Sequence, residues 1–244
     1  MTVSRRILAA SGGFIPTGLW GVMRPGGIMN RALELTGAVR PRVLLVPTAS
    51  GDDAQYLSRM YAALSDSGCE VDHLALFPQP SRRPADALAA ADLVWVGGGS
   101  VANLLALWRL HGVAEAMADA WERGTVLGGV SAGSICWHVG GPTDSFGSEL
   151  EVVDDGLGLL PFGNGVHYDS EEQRRPLLHR HVADGKLPLS YATDDGIGLL
   201  YEGADLVEVV SDVDIGDRST GPAAYRVEQQ GGLALETRLA VGRV

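Results

Sequence analysis

Thr125-Val126-Leu127-Gly128-Gly129-Val130-Ser131-Ala132-Gly133-Ser134-Ile135-Cys136-Trp137 joins a short apolar run to a helix-compatible segment through a serine with glycines at −2 and +2. A strand, a sharp turn and a helix with serine at the apex is the nucleophile-elbow pattern. The turn forces the serine into a strained backbone conformation. Gly129 and Gly133 carry no Cβ, so strand and helix can close on each other. The serine Oγ then projects beyond the end of the strand. The amide of Ala132, at a helix N-terminus, is free to bind an oxyanion. A glycine-rich turn with an incidental serine satisfies the same five residues, because short motifs recur by chance. The surrounding chain has to decide between the two.

Upstream of this turn, Pro41–Pro47 and Asp92–Val96 are largely apolar runs, as expected of strands buried on both faces. Arg6–Ala10 reads as the first strand and Glu70–Phe77 as another. Between them, Met29–Leu35, Asp53–Ser67, Ala85–Ala91 and Glu115–Glu122 read as helices; in Asp53–Ser67 the apolar positions Tyr56, Met60, Ala63 and Leu64 keep a 3–4 spacing. Gly97-Gly98-Gly99-Ser100 ends one strand and opens a helix through Trp108. Alternating strands and helices predict a three-layer α/β sandwich with a mainly parallel sheet. In such sheets ligands bind at the carboxyl ends of the strands, where the Gly97–Ser100 turn and the Ser131 turn both lie. After the turn, Gly140–Gly165 is expected to form loops and short strands, and Glu172–Val182 a helix with a basic stripe. Ile197–Tyr201, Leu206–Val210 and Ala224–Val227 predict a short antiparallel extension at one sheet edge. No linker or repeat divides the 244 residues, so one α/β domain over residues 1–244 is expected.

The composition narrows the function classes. A formal net charge of −11 disfavours binding to nucleic-acid phosphates. With only Cys69 and Cys136, neither a disulfide framework nor a cysteine metal site is expected. Ser4-Arg5-Arg6-Ile7-Leu8 faintly resembles a twin-arginine export signal. However, Gly12, Gly13, Pro16, Gly18 and Gly21 break the apolar stretch, and no A-x-A-like cleavage site follows. No uninterrupted apolar run reaches the roughly 18 residues of a membrane span. The expectation is a cytoplasmic protein with no membrane and no nucleic-acid partner.

A serine nucleophile needs a base, and the base an orienting acid. Of the histidines, His167 in Asn164-Gly165-Val166-His167-Tyr168-Asp169 sits in a turn-like loop. His179 and His181 flank Arg180 on a helix, and His138 is too close to Ser131 along the chain to approach it from the far side. Asp144 lies between serine and histidine, which gives the order Ser131, Asp144, His167 of elbow hydrolases. Asp169, Asp194 and Asp195 are rivals for the acid. Cys136, Trp95 and Trp137 read as core residues.

Gly-x-Ser-Ala-Gly-Ser at 129–134, the preceding Gly-rich turn, the Asp144 loop and Val166-His167-Tyr168 resemble the peptidase E (aspartyl dipeptidase) and cyanophycinase family of serine peptidases. The resemblance extends over roughly residues 40–205 and includes Ala192-Thr193-Asp194-Asp195-Gly196. It implies a flavodoxin-like fold similar to class I glutamine amidotransferases, with Ser131 as nucleophile and His167 as base. It also implies an oxyanion hole from Gly98 or Gly99 with Ala132, and neither metal nor organic cofactor. The activity implied is a serine exopeptidase for short peptides with N-terminal aspartate. A cyanophycinase-like β-aspartyl peptidase with a larger, arginine-accepting pocket is the enzyme alternative. An amidotransferase-like domain that binds a small metabolite is the non-enzyme one. An aspartate substrate calls for a cation, and Arg174 and Arg175, just after the histidine loop, are the candidates. The expected partners are a small peptide substrate and, as an assembly, a homodimer.

Overall fold

The computed structural model describes residues 4–216 and 220–244. Its centre is an eight-stranded sheet. Five strands, Arg6–Ala10, Val126–Val130, Leu93–Val96, Arg42–Val46 and Glu70–His73, lie side by side in that order and run parallel. Side chains alternate between the faces along each strand. Ile7, Ala9, Leu44, Val46, Val94, Val96 and Leu127 enter one core, and Leu8, Ala10, Val43, Leu45, Leu93, Trp95 and Val126 enter another. The first core is covered by the helices Pro84–Ala89, Val101–Leu110 and Val113–Glu122, and the second by Gly27–Leu35 and Ala54–Leu64. This is the three-layer α/β arrangement expected, and burial on both faces is why the inner strands are apolar at nearly every position, whereas the edge strand Glu70–His73 is polar and partly exposed.

Helix starts follow local chemistry. Asp53 accepts the Tyr56 amide at 2.6 Å and starts Ala54–Leu64. Ser100 accepts the Asn103 amide at 3.2 Å and starts Val101–Leu110. The strand expected over Glu70–Phe77 stops at His73. The Asp52 carboxylate takes the amides of Leu76 and Phe77, so these cannot continue a ladder.

The antiparallel extension is present. Ile197–Glu202 pairs with Arg6–Ala10, followed by Asp205–Ser211 and Gly242–Arg243. Ala10 faces Gly198, so this added strand begins where the first strand ends. The residues before Ile197 are therefore placed at the carboxyl edge of the sheet. Ala224–Gln230 is not part of this extension. It belongs to a second, four-stranded sheet with Gly163–Gly165, Ser190–Thr193 and Leu233–Leu239. In it, Tyr168, Leu178, Val182, Leu187, Ala192 and Val227 form a separate small core. Among the described residues no helix is long and apolar enough to cross a membrane.

Candidate active site

Ser131 stands at the end of Val126–Val130 with φ 58° and ψ −114°. Its amide donates to the Ala10 carbonyl at 3.0 Å, and the Ile135 amide donates back to its own carbonyl at 3.0 Å, so strand and helix meet at this one residue. The flanking glycines are obligatory. A Cβ on Gly129 would lie 2.4 Å from the Gly133 carbonyl oxygen, and one on Gly133 would lie 2.3 Å from that of Val96. Ser131 Oγ has no hydrogen-bond partner among the described residues and is not sealed from solvent.

The Gly97–Ser100 turn flanks this serine. A Cβ on Gly98 would lie 3.2 Å from Ser131 Cβ, so the Gly98 backbone runs against the serine. Gly99, at φ 132°, turns away, and a side chain there would strike the Ala49 carbonyl at 2.2 Å. Among the described residues the amides of Gly98, Gly99 and Ala132 donate to no protein group. Unspent N–H groups beside a serine are the equipment of an oxyanion hole.

His167 arrives from the second sheet. Gly163–Gly165 and Ser190–Thr193 are parallel neighbours, with Gly165 opposite Ala192. This register carries the residues two and three positions on, His167 and Asp195, to the same end. His167 Nδ1 lies 2.6 Å from Asp195 Oδ1. A carboxylate cannot donate, so the imidazole nitrogen does, which leaves Nε2 as the acceptor. Ser11, the residue after Ala10, accepts the His167 amide at 3.0 Å and is bonded to Thr193 Oγ1 at 2.7 Å. Because Ala10 pairs with Val130, Ser11 and Ser131 leave adjacent strand ends. The imidazole loop is thus tied to the strand end next to that of the serine. On the other side, Ser134 Oγ donates to Asn164 Oδ1 at 2.8 Å, which ties the elbow helix to the histidine strand. His167 itself has a positive φ of 52°.

The carboxylate in contact with the histidine is Asp195 and not the expected Asp144. Strand register, which chain order does not reveal, brings Asp195 there. Asp144 is exposed, on a loop past Gly141–Thr143, and makes no hydrogen bond to His167. Asp169 supports the pair by accepting the Asp195 amide at 2.9 Å. Asp194 points inward, accepts the Ala223 amide at 2.9 Å and the Tyr225 hydroxyl at 3.1 Å, and burial pushes its carboxyl up.

The two arginines have internal partners. Arg174 is buried; it donates to Glu171 at 2.7 Å and to the Pro142 carbonyl. Arg175 pairs with Glu236 at 3.2 Å and lies over the rings of Tyr168 and Tyr225. The arginine pair expected to meet a substrate carboxylate is thus split: Arg174 is buried on internal partners, and Arg175 keeps 42% of its side chain exposed. Beside the histidine turn, a cleft of about 440 Å³ is lined by Asp144, Ser148, Glu171, Glu172 and Gln173 instead. Its walls are pinned: Glu171 N donates to the His167 carbonyl at 3.0 Å, and Ala102 N, in the helix that follows the glycine turn, donates to Ser145 Oγ at 3.3 Å.

Ser11, Ser134 and Asn164 were not anticipated as positioning residues. The second serine of the elbow motif and the Asn-Gly before the histidine were their only traces in the sequence. Cys136 is buried, and burial pushes its thiol up, so it is no rival nucleophile. His138 is also fully buried and donates Nδ1–H to the Ser134 carbonyl at 2.9 Å. Burial lowers its pKa from 6.5 to about 4.

Residues 27–209 match the model of Peptidase family S51, three quarters of the chain and the whole span from elbow to Asp195. The chain belongs to peptidase family S51. It is a serine peptidase, and the elbow, free amides and His167 lie within the matched segment. It is 38% identical over 188 residues to the uncharacterized peptidase YgaJ of Bacillus subtilis, covering 77% of this chain and 78% of that one. It is 31% identical over 149 residues to the peptidase E of Streptomyces coelicolor, covering 58% of each. The crystal structure of a peptidase from an acI-B1 Actinobacterium superposes with a TM-score of 0.71 at 15% identity, over 100% of this chain and 98% of that one; at that identity the likeness carries the fold alone. Ser11 and the strands Ala224–Gln230 and Leu233–Leu239 lie outside the family match.

Proposed function

We propose that this S51 peptidase is an exopeptidase for short peptides that works through a Ser131–His167–Asp195 triad. The observation that carries the reading is the 2.6 Å contact of His167 Nδ1 with Asp195, on a loop tied through Ser11 to the strand next to that of a strained, unpartnered serine. In this mechanism His167 Nε2 takes the Ser131 hydroxyl proton as Oγ attacks the scissile carbonyl. The amides of Ala132 and of Gly98 or Gly99 hold the oxyanion, and Asp195 stabilises the imidazolium. The proton then passes to the leaving amine, and water repeats the cycle on the acyl-enzyme.

For the substrate, the resemblance to peptidase E supports an N-terminal aspartate. The cleft lined by Asp144, Glu171 and Glu172 favours a second reading, a β-aspartyl peptidase whose substrate extends a basic side chain into that cleft. The test is a dipeptide screen that includes Asp-Leu, Ala-Leu and β-Asp-Arg, wild type against Ser131→Ala. A preference for β-Asp-Arg that falls in Glu172→Gln supports the second reading, and a preference for Asp-Leu that is unchanged in that variant supports the first. No Ser131-dependent cleavage of any peptide contradicts both.

A further inference from the structure

We infer that Arg175 is a positioning residue: packed against the adjoining rings of Tyr168 and Tyr225 and paired with Glu236, it braces the histidine loop against the Asp194–Asp195 loop from behind. The inference rests on the reading of His167 and Asp195 as base and acid. The guanidinium carbon lies 4.5 Å from the Tyr168 ring centre and 4.7 Å from that of Tyr225. Each ring belongs to one side of the catalytic pair. Tyr168 directly follows His167, and its amide donates to the Thr193 carbonyl at 3.1 Å. The Tyr225 hydroxyl donates to Asp194, the neighbour of the acid, at 3.1 Å. Asp194 and Ala223 also exchange backbone and side-chain bonds at 3.0 and 2.9 Å.

Glu236 completes the cluster. Its carboxylate accepts from Arg175 Nη1 at 3.2 Å, from the Tyr168 hydroxyl at 2.8 Å and from His179 Nε2 at 2.9 Å. A cation that waits for substrate would keep its donors and its planar faces free. Arg175 packs against two adjoining rings, whose centres are 5.3 Å apart, and gives one N–H to a carboxylate. Tyr225 and Glu236 stand on the strands Ala224–Gln230 and Leu233–Leu239, beyond the family-matched segment. The C-terminal strands therefore supply two of the four members of this cluster.

The test compares wild type, Arg175→Met, Glu236→Gln and Tyr225→Phe in the full chain. Three readouts are taken: the rate at which a fluorophosphonate acylates Ser131, kcat and KM for Asp-Leu and Ala-Leu, and the low-field NMR resonance of the His167 Nδ1 proton. Misplacing a base by about 1 Å costs on the order of 10²-fold. Arg175→Met is therefore expected to slow acylation and lower kcat on both peptides by about 10–100-fold with little change in KM. It should also shift or broaden the His167 resonance, and Glu236→Gln should act in the same direction to a smaller degree. A folded Arg175→Met with wild-type acylation and an unmoved resonance overturns the inference, even if its melting temperature falls. A KM raised for Asp-Leu alone also overturns it and makes Arg175 a substrate ligand. If Arg175→Met does not fold, Glu236→Gln and Tyr225→Phe decide by the same readouts. If Ser131→Ala leaves hydrolysis unchanged, the peptidase reading fails, whereas the His167 resonance still decides the bracing role.

Discussion

Ser131 at φ 58° and His167 at φ 52° are two of the three non-glycine residues with positive φ among those described. Such conformations cost on the order of 1–3 kcal/mol each and persist only where neighbours enforce them. Here the Ser131 amide is tied to Ala10 and the His167 amide to Ser11, so one strand end holds both. Asp195 reaches Nδ1 at 2.6 Å, whereas Asp144 sits on a separate loop and makes no hydrogen bond to His167. Asp195→Asn is accordingly expected to lower kcat by on the order of 10²–10⁴, because an amide can favour the wrong imidazole tautomer. Asp144→Asn should stay within about tenfold of wild type on a neutral peptide. Steady-state kinetics of the two variants on Ala-Leu check this, and the opposite ranking would return the acid to Asp144.

The elbow and the histidine strand form one mechanical unit, joined by the buried Ser134–Asn164 bond at 2.8 Å. Asn164→Ala strands the Ser134 hydroxyl in the core and should cost about 1–3 kcal/mol. Gly133→Ala sets a methyl 2.3 Å from the Val96 carbonyl oxygen and should cost about 3 kcal/mol or more, since backbone there cannot move aside. Urea unfolding measures both; a Gly133→Ala midpoint equal to wild type would contradict the close packing at the elbow. At this scale the sequence was most legible. Apolar runs marked the buried strands, and Gly-x-Ser-x-Gly marked the turn that orients the nucleophile. The Ser190–Thr193 strand was missed because it is only four residues long and makes its contacts in a second sheet. Without that strand the register that selects Asp195 could not be read. Side-chain commitments such as Arg175 on two tyrosine rings are likewise invisible in one dimension, because Tyr225 lies 50 positions away in the chain.

Across the whole molecule, a large sheet presents the serine and its free amides, and a smaller sheet presents the imidazole and its carboxylate. Buried titratable groups lie within this framework. His138 is fully buried with a pKa of about 4 in place of 6.5. Below pH 6.5 the unfolded chain takes up a proton that the folded one refuses. The stability contributed by neutral His138 is therefore complete above pH 6.5 and is lost as pH falls toward 4, at up to about 1.4 kcal/mol per pH unit. Asp194 and Asp212 act in the opposite sense. Burial raises their folded pKa, so their contribution is complete below the ordinary carboxyl value and is lost as pH rises through the raised one. In His138→Phe the drop in unfolding free energy from pH 7 to pH 5 should shrink by about 2 kcal/mol, as read from urea titrations at the two pH values. An unchanged drop would mean that His138 is not held neutral. The central claim, that the two sheets assemble one serine nucleophile with its base and acid, is tested most directly by fluorophosphonate labelling followed by peptide mass mapping. The account expects a single adduct on Ser131, absent in Ser131→Ala and formed at least about 100-fold more slowly in His167→Gln and Asp195→Asn. An adduct on another residue, or labelling of Ser131 that is indifferent to His167, would contradict it.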